Sequence, residues 1–240
     1  MARRRFGQHF LHEKHVVARL LEEIDPKKKD FVVEIGPGEG ALTGPLLGRL
    51  DTLQVIEIDR DLAAQLENRY PTKLTVHCAD ALEFDFAAFP AGMRVVGNLP
   101  YNISTPLLFH LARFAGRVRD MHFMLQREVV ERMAAAPSTK AYGRLSVSLQ
   151  SRFKVQKLFN VAKGAFRPPP NVESAVVRLE PLARILPIDE DLLRKAFSAR
   201  RKTLRNALPE VDFAALGIDA GLRPENLSPE DYSRISASVL

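Results

Sequence analysis

Asn98-Leu99-Pro100-Tyr101 places a side-chain amide, a main-chain carbonyl, a stiff turn and a flat aromatic surface within one short segment. The oxygens of Asn98 and of the Leu99 carbonyl are hydrogen-bond acceptors, Pro100 has a fixed φ and no N–H, and Tyr101 offers a face for a base. Such a set suits an exocyclic amine conjugated to an aromatic ring. That amine is a weak nucleophile because its lone pair is delocalised, and acceptors placed on its protons favour the pyramidal, reactive nitrogen. The same residues also describe an ordinary tight turn after a strand, since Asn and Pro are common turn formers. The tetrapeptide alone does not separate the two readings.

The elements around it narrow the choice. Phe31–Ile35 reads as a short buried strand that runs into Gly36-Pro37-Gly38-Glu39-Gly40 and then the helix-compatible Ala41-Leu42-Thr43. Alternating glycines let the backbone pass close to a ligand. Ala41 stands where a dinucleotide fingerprint has its third small residue, so the loop alone leaves a dinucleotide enzyme open. A second strand, Leu53–Ile56, ends at Glu57, an acid placed to hold the hydroxyls of a ribose. Asp59 is the alternative for that role, or it caps the helix beginning near Asp61. A third strand, Leu74–Cys78, leads to Asp80 and Ala81, where Asp80 can accept from an adenine amino group. A fourth, Met93–Gly97, delivers Asn98. In a doubly wound sheet the four strand ends carrying Gly36, Glu57, Asp80 and Asn98 converge on one crevice.

Further along, Asp120–Leu125, Phe153–Val161 and Ala175–Leu179 read as strands, and Gln126–Ala135 as a helix. This alternation calls for a mostly parallel sheet covered on both faces. The expected organisation is a domain over 1–181, which includes a basic arm and helix over 1–30, a linker from Pro181 to Pro187, and a helical domain over 187–240. An apolar fraction of 46% supplies a real core. No stretch reaches the roughly 20 apolar residues of a membrane span, and the basic first 30 residues lack the apolar region of a secretory signal. The single cysteine, Cys78, excludes an internal disulfide and reads as an inert core residue in a reducing cytoplasm. Metal-ligand spacing is absent, so no metal is expected.

A net charge of +6 points to an acidic partner, and its distribution is uneven. From Lys140 to Arg178 eight basic residues face one acid, Glu173, and from Arg194 to Arg205 six face none. Were 194–205 a helix, Leu193, Phe197, Leu204 and Leu208 would form an apolar stripe, with Lys195, Lys202 and Arg205 pointing away from it. Arg200 and Arg201 border that stripe and suit structural ion pairs as well as phosphate contacts.

These residues resemble the S-adenosylmethionine-dependent ribosomal RNA adenine N6-dimethyltransferases, the KsgA or RsmA family, whose relatives include the erythromycin-resistance methylases. Arg5-Phe6-Gly7-Gln8-His9-Phe10-Leu11 is similar to the family's GQNFL segment, Glu34–Gly38 to its first methyltransferase motif, and Asn98–Tyr101 to its catalytic motif. Phe166–Ser174 is similar to its F-x-P-x-P-x-V-x-S element, and Ala196-Phe197 with Arg200–Arg205 to its terminal helical motif. His9 departs from the pattern, which has Asn there as a cofactor contact. Imidazole supplies either a donor or an acceptor, so that contact can change with protonation.

The resemblance implies a seven-stranded, Rossmann-like α/β class I methyltransferase sheet with an antiparallel last strand and a small carboxy-terminal all-α domain. It implies S-adenosylmethionine as cofactor, bound by His9, Leu11, Gly36, Gly38, Glu57, Asp80, Ala81 and Asn98. Catalysis falls to Asn98, Leu99, Pro100, Tyr101 and Phe166, with the rings of Tyr101 and Phe166 stacking on the target adenine and the proline run holding Phe166 outward. RNA contacts fall to Arg144, Arg167, Lys195, Arg201, Lys202 and Arg205. The implied reaction is dimethylation of N6 of two adjacent adenosines in the 3'-terminal hairpin loop of small-subunit (16S) rRNA, by a cytoplasmic monomer acting late in small-subunit biogenesis. The alternatives are an erythromycin-resistance-type enzyme acting on 23S rRNA, or a small-subunit assembly factor in which methylation is secondary. A DNA adenine methyltransferase fits less well, because its motif has a proline where Leu99 stands.

Overall fold

A computed structural model describes residues 9–239. Arg5 to Gln8, part of the GQNFL-like segment and of the basic arm, lie outside the described residues. The elements are β1 (Phe10–Leu11), α1 (Lys14–Ile24), β2 (Val32–Ile35), α2 (Thr43–Leu47), β3 (Leu53–Glu57), α3 (Arg60–Arg69), β4 (Leu74–Cys78), β5 (Met93–Asn98), α4 (Ser104–Ala112) and β6 (Val118–Gln126). They continue with α5 (Arg127–Met133), α6 (Arg144–Gln150), β7 (Phe153–Val161), β8 (Phe166–Arg167), β9 (Ser174–Pro181), α7 (Glu190–Ser198), α8 (Leu204–Ala207) and α9 (Pro229–Val239).

Seven strands form one sheet in the order β4-β3-β2-β5-β6-β9-β7. Pairing from β4 through β6 is parallel, as alternating strands and helices require. β9 runs antiparallel to β6, with Val176 opposite Met124, as expected for the last strand. A buried parallel strand needs apolar residues on both faces, and all of β2 is buried. On one face Val32, Val55, Val96 and Met124 meet Leu20, Leu21 and Ile24 of α1 and Leu46 and Leu47 of α2. Val17, Leu20, Leu21 and Ile24 recur at helical spacing, which gives α1 a single apolar stripe.

The amino ends of the strands carry a different core. Arg94, at the start of β5, is buried and reaches both oxygens of Asp120 through Nε at 3.0 Å and Asp30 through Nη1 at 2.8 Å. Its Nη2 donates to the Ile24 carbonyl at 2.5 Å, at the end of α1. Arg119 adds a second cation to Asp30 at 3.0 Å. Burial alone would raise the Asp120 carboxyl, but the neighbouring His122 imidazole and the Arg94 bonds reverse that, and it lies below its ordinary value.

Cys78 is exposed rather than buried in the core. β4 is the edge of the sheet, so its apolar sequence does not guarantee cover on both faces. The chain divides into two compact units, one running to Val130 and including Gln156–Glu180, the other made of Glu131–Val155 and the chain from Pro181 onward. The sequence expectation counts 131–155 with the sheet domain, whereas packing counts it with the helices. Tyr142 and Val147 belong to a cluster with Leu192, Leu193, Leu204, Leu208, Tyr232 and Ile235, and the Tyr142 hydroxyl donates to the Leu227 carbonyl at 2.9 Å.

The basic stretch 194–205 is not one helix, because α7 ends at Ser198 and α8 starts at Leu204. The backbone N–H groups of Leu204 and Arg205 bond instead to the carbonyls of Leu222 and Ala220. Leu193, Leu204 and Leu208 nonetheless stay fully buried, so the apolar side survives the break. Among the described residues, no helix is long and apolar enough to cross a membrane, and no His, Cys, Asp or Glu group has metal-binding geometry.

Candidate active site

The carboxyl ends of β2, β3, β4 and β5 open into one cavity. His9, Leu11, Gly36, Gly38, Glu57, Asp80, Ala81, Asn98, Leu99, Pro100 and Tyr101 all line it. The glycine turn and the amide loop are neighbours: a Cβ at Gly36 would lie 3.9 Å from the Asn98 carbonyl oxygen and 3.8 Å from Pro100 Cδ. Gly38 has a φ of +57°, and a Cβ there would sit 3.1 Å from the Phe10 ring, so two constraints ask for glycine at that position.

Two acids face this cavity from adjacent strands. Glu57 accepts from Gly38 N at 3.1 Å and from Asp59 N at 3.0 Å, which aims its carboxylate along the glycine turn. Burial pushes its carboxyl above the ordinary value, and those backbone donors limit the rise. Asp59 has other work: its Oδ1 accepts from Asp61 N at 2.9 Å and Leu62 N at 3.3 Å, capping α3. Glu34 lies deeper and accepts from the Thr43 hydroxyl at 2.7 Å. Burial pushes its carboxyl up to about 8, against the Thr43 bond and with help from the charge of Glu57. Asp80 Oδ1 accepts from Leu82 N at 2.9 Å, which fixes the turn after β4.

Asn98 ends β5, and its Nδ2 donates to the His9 carbonyl at 3.0 Å. A carbonyl can only accept, so the amide is set one way round, with Oδ1 left for another donor. The Tyr101 hydroxyl shares a hydrogen bond with Ser174 Oγ at 2.5 Å, and its ring lies 5.4 Å from that of His9. The anchored hydroxyl holds the Tyr101 ring as a wall of the same cavity. An amide oxygen turned away from the His9 carbonyl, a flat aromatic wall, and an acid beside a glycine turn therefore share one space.

A ribosomal RNA adenine dimethylase family matches residues 1–239. The chain belongs to that family. It is 57% identical over 246 residues to ribosomal RNA small subunit methyltransferase A of Aromatoleum aromaticum, covering 98% of this chain and 93% of the relative. Among solved structures, it is similar to a dimethyladenosine transferase from Plasmodium falciparum, with a TM-score of 0.83 and 27% identity over 95% of this chain and 96% of that one. The 23S rRNA methyltransferase ErmE shares the fold at a TM-score of 0.73 and 24% identity, over 95% of this chain and 98% of that one. Like other members of the ribosomal RNA adenine dimethylase family, the protein is a methyltransferase that uses S-adenosylmethionine. The cavity fits that cofactor: the Glu57 carboxylate, held beside the glycine turn by the Gly38 N–H, lines it and is an acceptor for paired hydroxyls.

Phe166 does not join the dimethylase site as expected. Its ring is 1% exposed and belongs to the sheet core with Leu11, because β8 pairs antiparallel with β1 and sets Leu11 opposite Phe166. The strand pairing outweighs the outward pull of the proline run, and an aromatic ring gains more by burial than by standing in water. Of the six expected RNA-binding cations, two are neutralised within the chain: Lys195 pairs with Glu210 at 2.5 Å and Arg144 with Glu190 at 3.6 Å. Arg200 pairs with Glu225 and donates to the Lys140 carbonyl, as one of the two readings of that residue expects. Arg167, Arg201, Lys202 and Arg205 are exposed and carry no side-chain partner among the described residues.

Glu34 and Ser174 stand inside motif stretches of the sequence but are not among the expected site residues, and Ile58 is not marked at all. An acid inside the apolar run Phe31–Ile35 was the available signal for Glu34, since a fully buried strand seldom carries one. Ile58 follows β3 and lines the cavity while 45% exposed, and nothing in the sequence beside it marks it out. Ser174 is distant in sequence from Tyr101, and only folding brings the two hydroxyls together.

Proposed function

We propose that this protein transfers two methyl groups to N6 of each of two adjacent adenosines in the 3'-terminal hairpin loop of 16S rRNA, during late assembly of the small ribosomal subunit. The observation that carries the reading is the Asn98 amide, oriented with Oδ1 free at the mouth of a cavity that also holds the glycine turn and Glu57. When bound, S-adenosylmethionine supplies a sulfonium methyl already activated for in-line transfer. Glu57 accepts from ribose hydroxyls, and Asp80 accepts from the adenine amino group of the cofactor. Asn98 Oδ1 and the Leu99 carbonyl accept from the target amine and draw its nitrogen toward the pyramidal state. Tyr101 stacks on the target base, which offsets about 1–3 kcal/mol of the cost of taking the adenine out of its stack.

No carboxylate base is needed, because attack makes the amine acidic and its proton leaves through Asn98, the backbone or water. The protein's contribution is placement, which supplies on the order of 7–11 kcal/mol in favourable cases. Arg167, Arg201, Lys202 and Arg205 serve the RNA phosphates, whereas Lys195 and Arg144 serve the fold. The enzyme works as a cytoplasmic monomer.

The test is incubation with labelled S-adenosylmethionine and undermethylated small subunits, followed by nuclease mapping of the modified nucleoside. Dimethyladenosine in the 3'-terminal hairpin loop is expected. Label appearing in naked large-subunit RNA and not in small subunits would overturn the reading in favour of an ErmE-like substrate.

A further inference from the structure

We propose that His9 is a positioning residue for methyl transfer, which holds the Asn98 amide in its reacting orientation. The inference rests on the assignment of Asn98 as the residue that receives the target amine. The His9 carbonyl accepts from Asn98 Nδ2 at 3.0 Å, so the place of that carbonyl decides where Asn98 Oδ1 points. The carbonyl is itself held through the His9 side chain. Nδ1 bonds to the Pro168 carbonyl at 2.8 Å, and because that carbonyl only accepts, Nδ1 is the donor. Both the Nδ1–H tautomer and the imidazolium satisfy this bond.

A side-chain tie is needed at this position. β1 and β8 pair through Phe10↔Arg167 and Leu11↔Phe166, and His12 N donates to the Ala165 carbonyl at 3.0 Å. The bond at His12 makes 12/165 and 10/167 the hydrogen-bonded pairs of this antiparallel ladder, so residue 9 falls opposite Pro168 at a position with no backbone bond of its own. The imidazole supplies the tie there, to the Pro168 carbonyl. One residue thus closes a strap from the proline-rich turn to the catalytic amide, with its ring 5.4 Å from Tyr101 at a tilt of 36°. Asn in the same place would keep the geometry, since its Nδ2 stands where His Nδ1 does. Asp has the same shape as Asn and no donor.

The test compares His9→Asn, His9→Ala and His9→Asp in the full-length protein, with S-adenosylmethionine affinity measured by calorimetry and single-turnover transfer measured on undermethylated small subunits at saturating cofactor. The expected result is a rate within about twofold of the parent for His9→Asn and a loss of about 10–100-fold for His9→Ala and His9→Asp, as displacement of a reacting group produces. Because His9 also lines the cofactor cavity, transfer is read at a cofactor concentration shown by the calorimetry to saturate each variant, so that a change in affinity does not enter the rate. A parental rate in His9→Ala, or a loss in His9→Asn equal to that in His9→Ala, would overturn the proposal. Asn98→Ala is measured alongside. If it remains active, the Asn98 assignment fails; if it is inactive while His9→Ala is not, only the role of His9 fails.

Discussion

At the amino ends of β2, β5 and β6, Asp30 and Asp120 close on the Arg94 guanidinium, whereas at the carboxyl ends Glu34 and Glu57 line a cavity and are held by a threonine hydroxyl and backbone N–H groups. Burial acts on all of these acids in the same direction. At the amino edge the bonds that oppose it prevail, and the carboxyl groups of Asp30 and Asp120 fall below their ordinary values. At the cavity edge burial prevails, and Glu34 and Glu57 rise. The first arrangement completes itself within the fold and stabilises it. The second leaves acceptor capacity unused until a ligand arrives, so the same sheet spends stability at one edge to gain binding there.

The sharpest way to break this contrast is to remove the cation. Arg94→Met takes the buried cation from Asp30 and Asp120 and leaves them the half-exposed Arg119; the expected cost is about 3–5 kcal/mol in urea unfolding, with cofactor affinity of the folded protein unchanged. A stability loss below about 1 kcal/mol would show that the amino edge is not held by this cluster.

Glu34→Gln probes the opposite edge through pH. In the folded protein Glu34 keeps its proton up to about pH 8, whereas in the unfolded chain it loses it near the ordinary value of 4.5. The folded state binds more protons across that window, so this group's contribution to stability falls as pH rises through it. Glu34→Gln removes that dependence, and its stability relative to the parent should improve by on the order of 4 kcal/mol between pH 5 and pH 8. Unfolding at the two pH values measures it, and parallel curves for parent and variant would contradict it.

Asn98→Ala tests whether the cavity edge is arranged for chemistry. A loss on the order of 10²–10³ in the transfer rate is expected, as for removal of one preorganised polar group from a transition state, with S-adenosylmethionine affinity and stability nearly unchanged. The smallest effects separate two neighbouring acids. Glu57→Gln should weaken cofactor binding about tenfold, or roughly 1.4 kcal/mol. Asp59→Ala should instead cost about 1 kcal/mol of stability through the lost helix cap and leave affinity alone. Calorimetry on both variants would reverse the assignment of the ribose acid if the two results were exchanged.

Much of this arrangement was legible before folding. Phe31–Ile35, Leu53–Ile56, Leu74–Cys78 and Met93–Gly97 read as strands because short apolar runs bounded by turn residues have few other uses. The order of Gly36, Glu57, Asp80 and Asn98 at successive strand ends then placed them on one edge. Other features resisted. Cys78 sits in a run as apolar as its neighbours, and only sheet order reveals that its strand is an edge. Tyr142 and Val147 fall between the expected helix Gln126–Ala135 and the expected strand Phe153–Val161, yet they pack with the carboxy-terminal helices.

The amino-acid sequence by itself determined the elements, the parallel sheet and the set of polar groups delivered to its carboxyl edge, because periodicity, glycine turns and strand ends are short-range properties of the chain. Tertiary structure alone decided which way the Asn98 amide faces, that Phe166 turns inward, and that Lys195, Arg144 and Arg200 pair with acids of the same chain. Each of those outcomes depends on a partner far away in the chain, as the 89 positions between His9 and Asn98 illustrate. Hydrogen bonds and burial are settled by distance in space, and a linear pattern carries no measure of it.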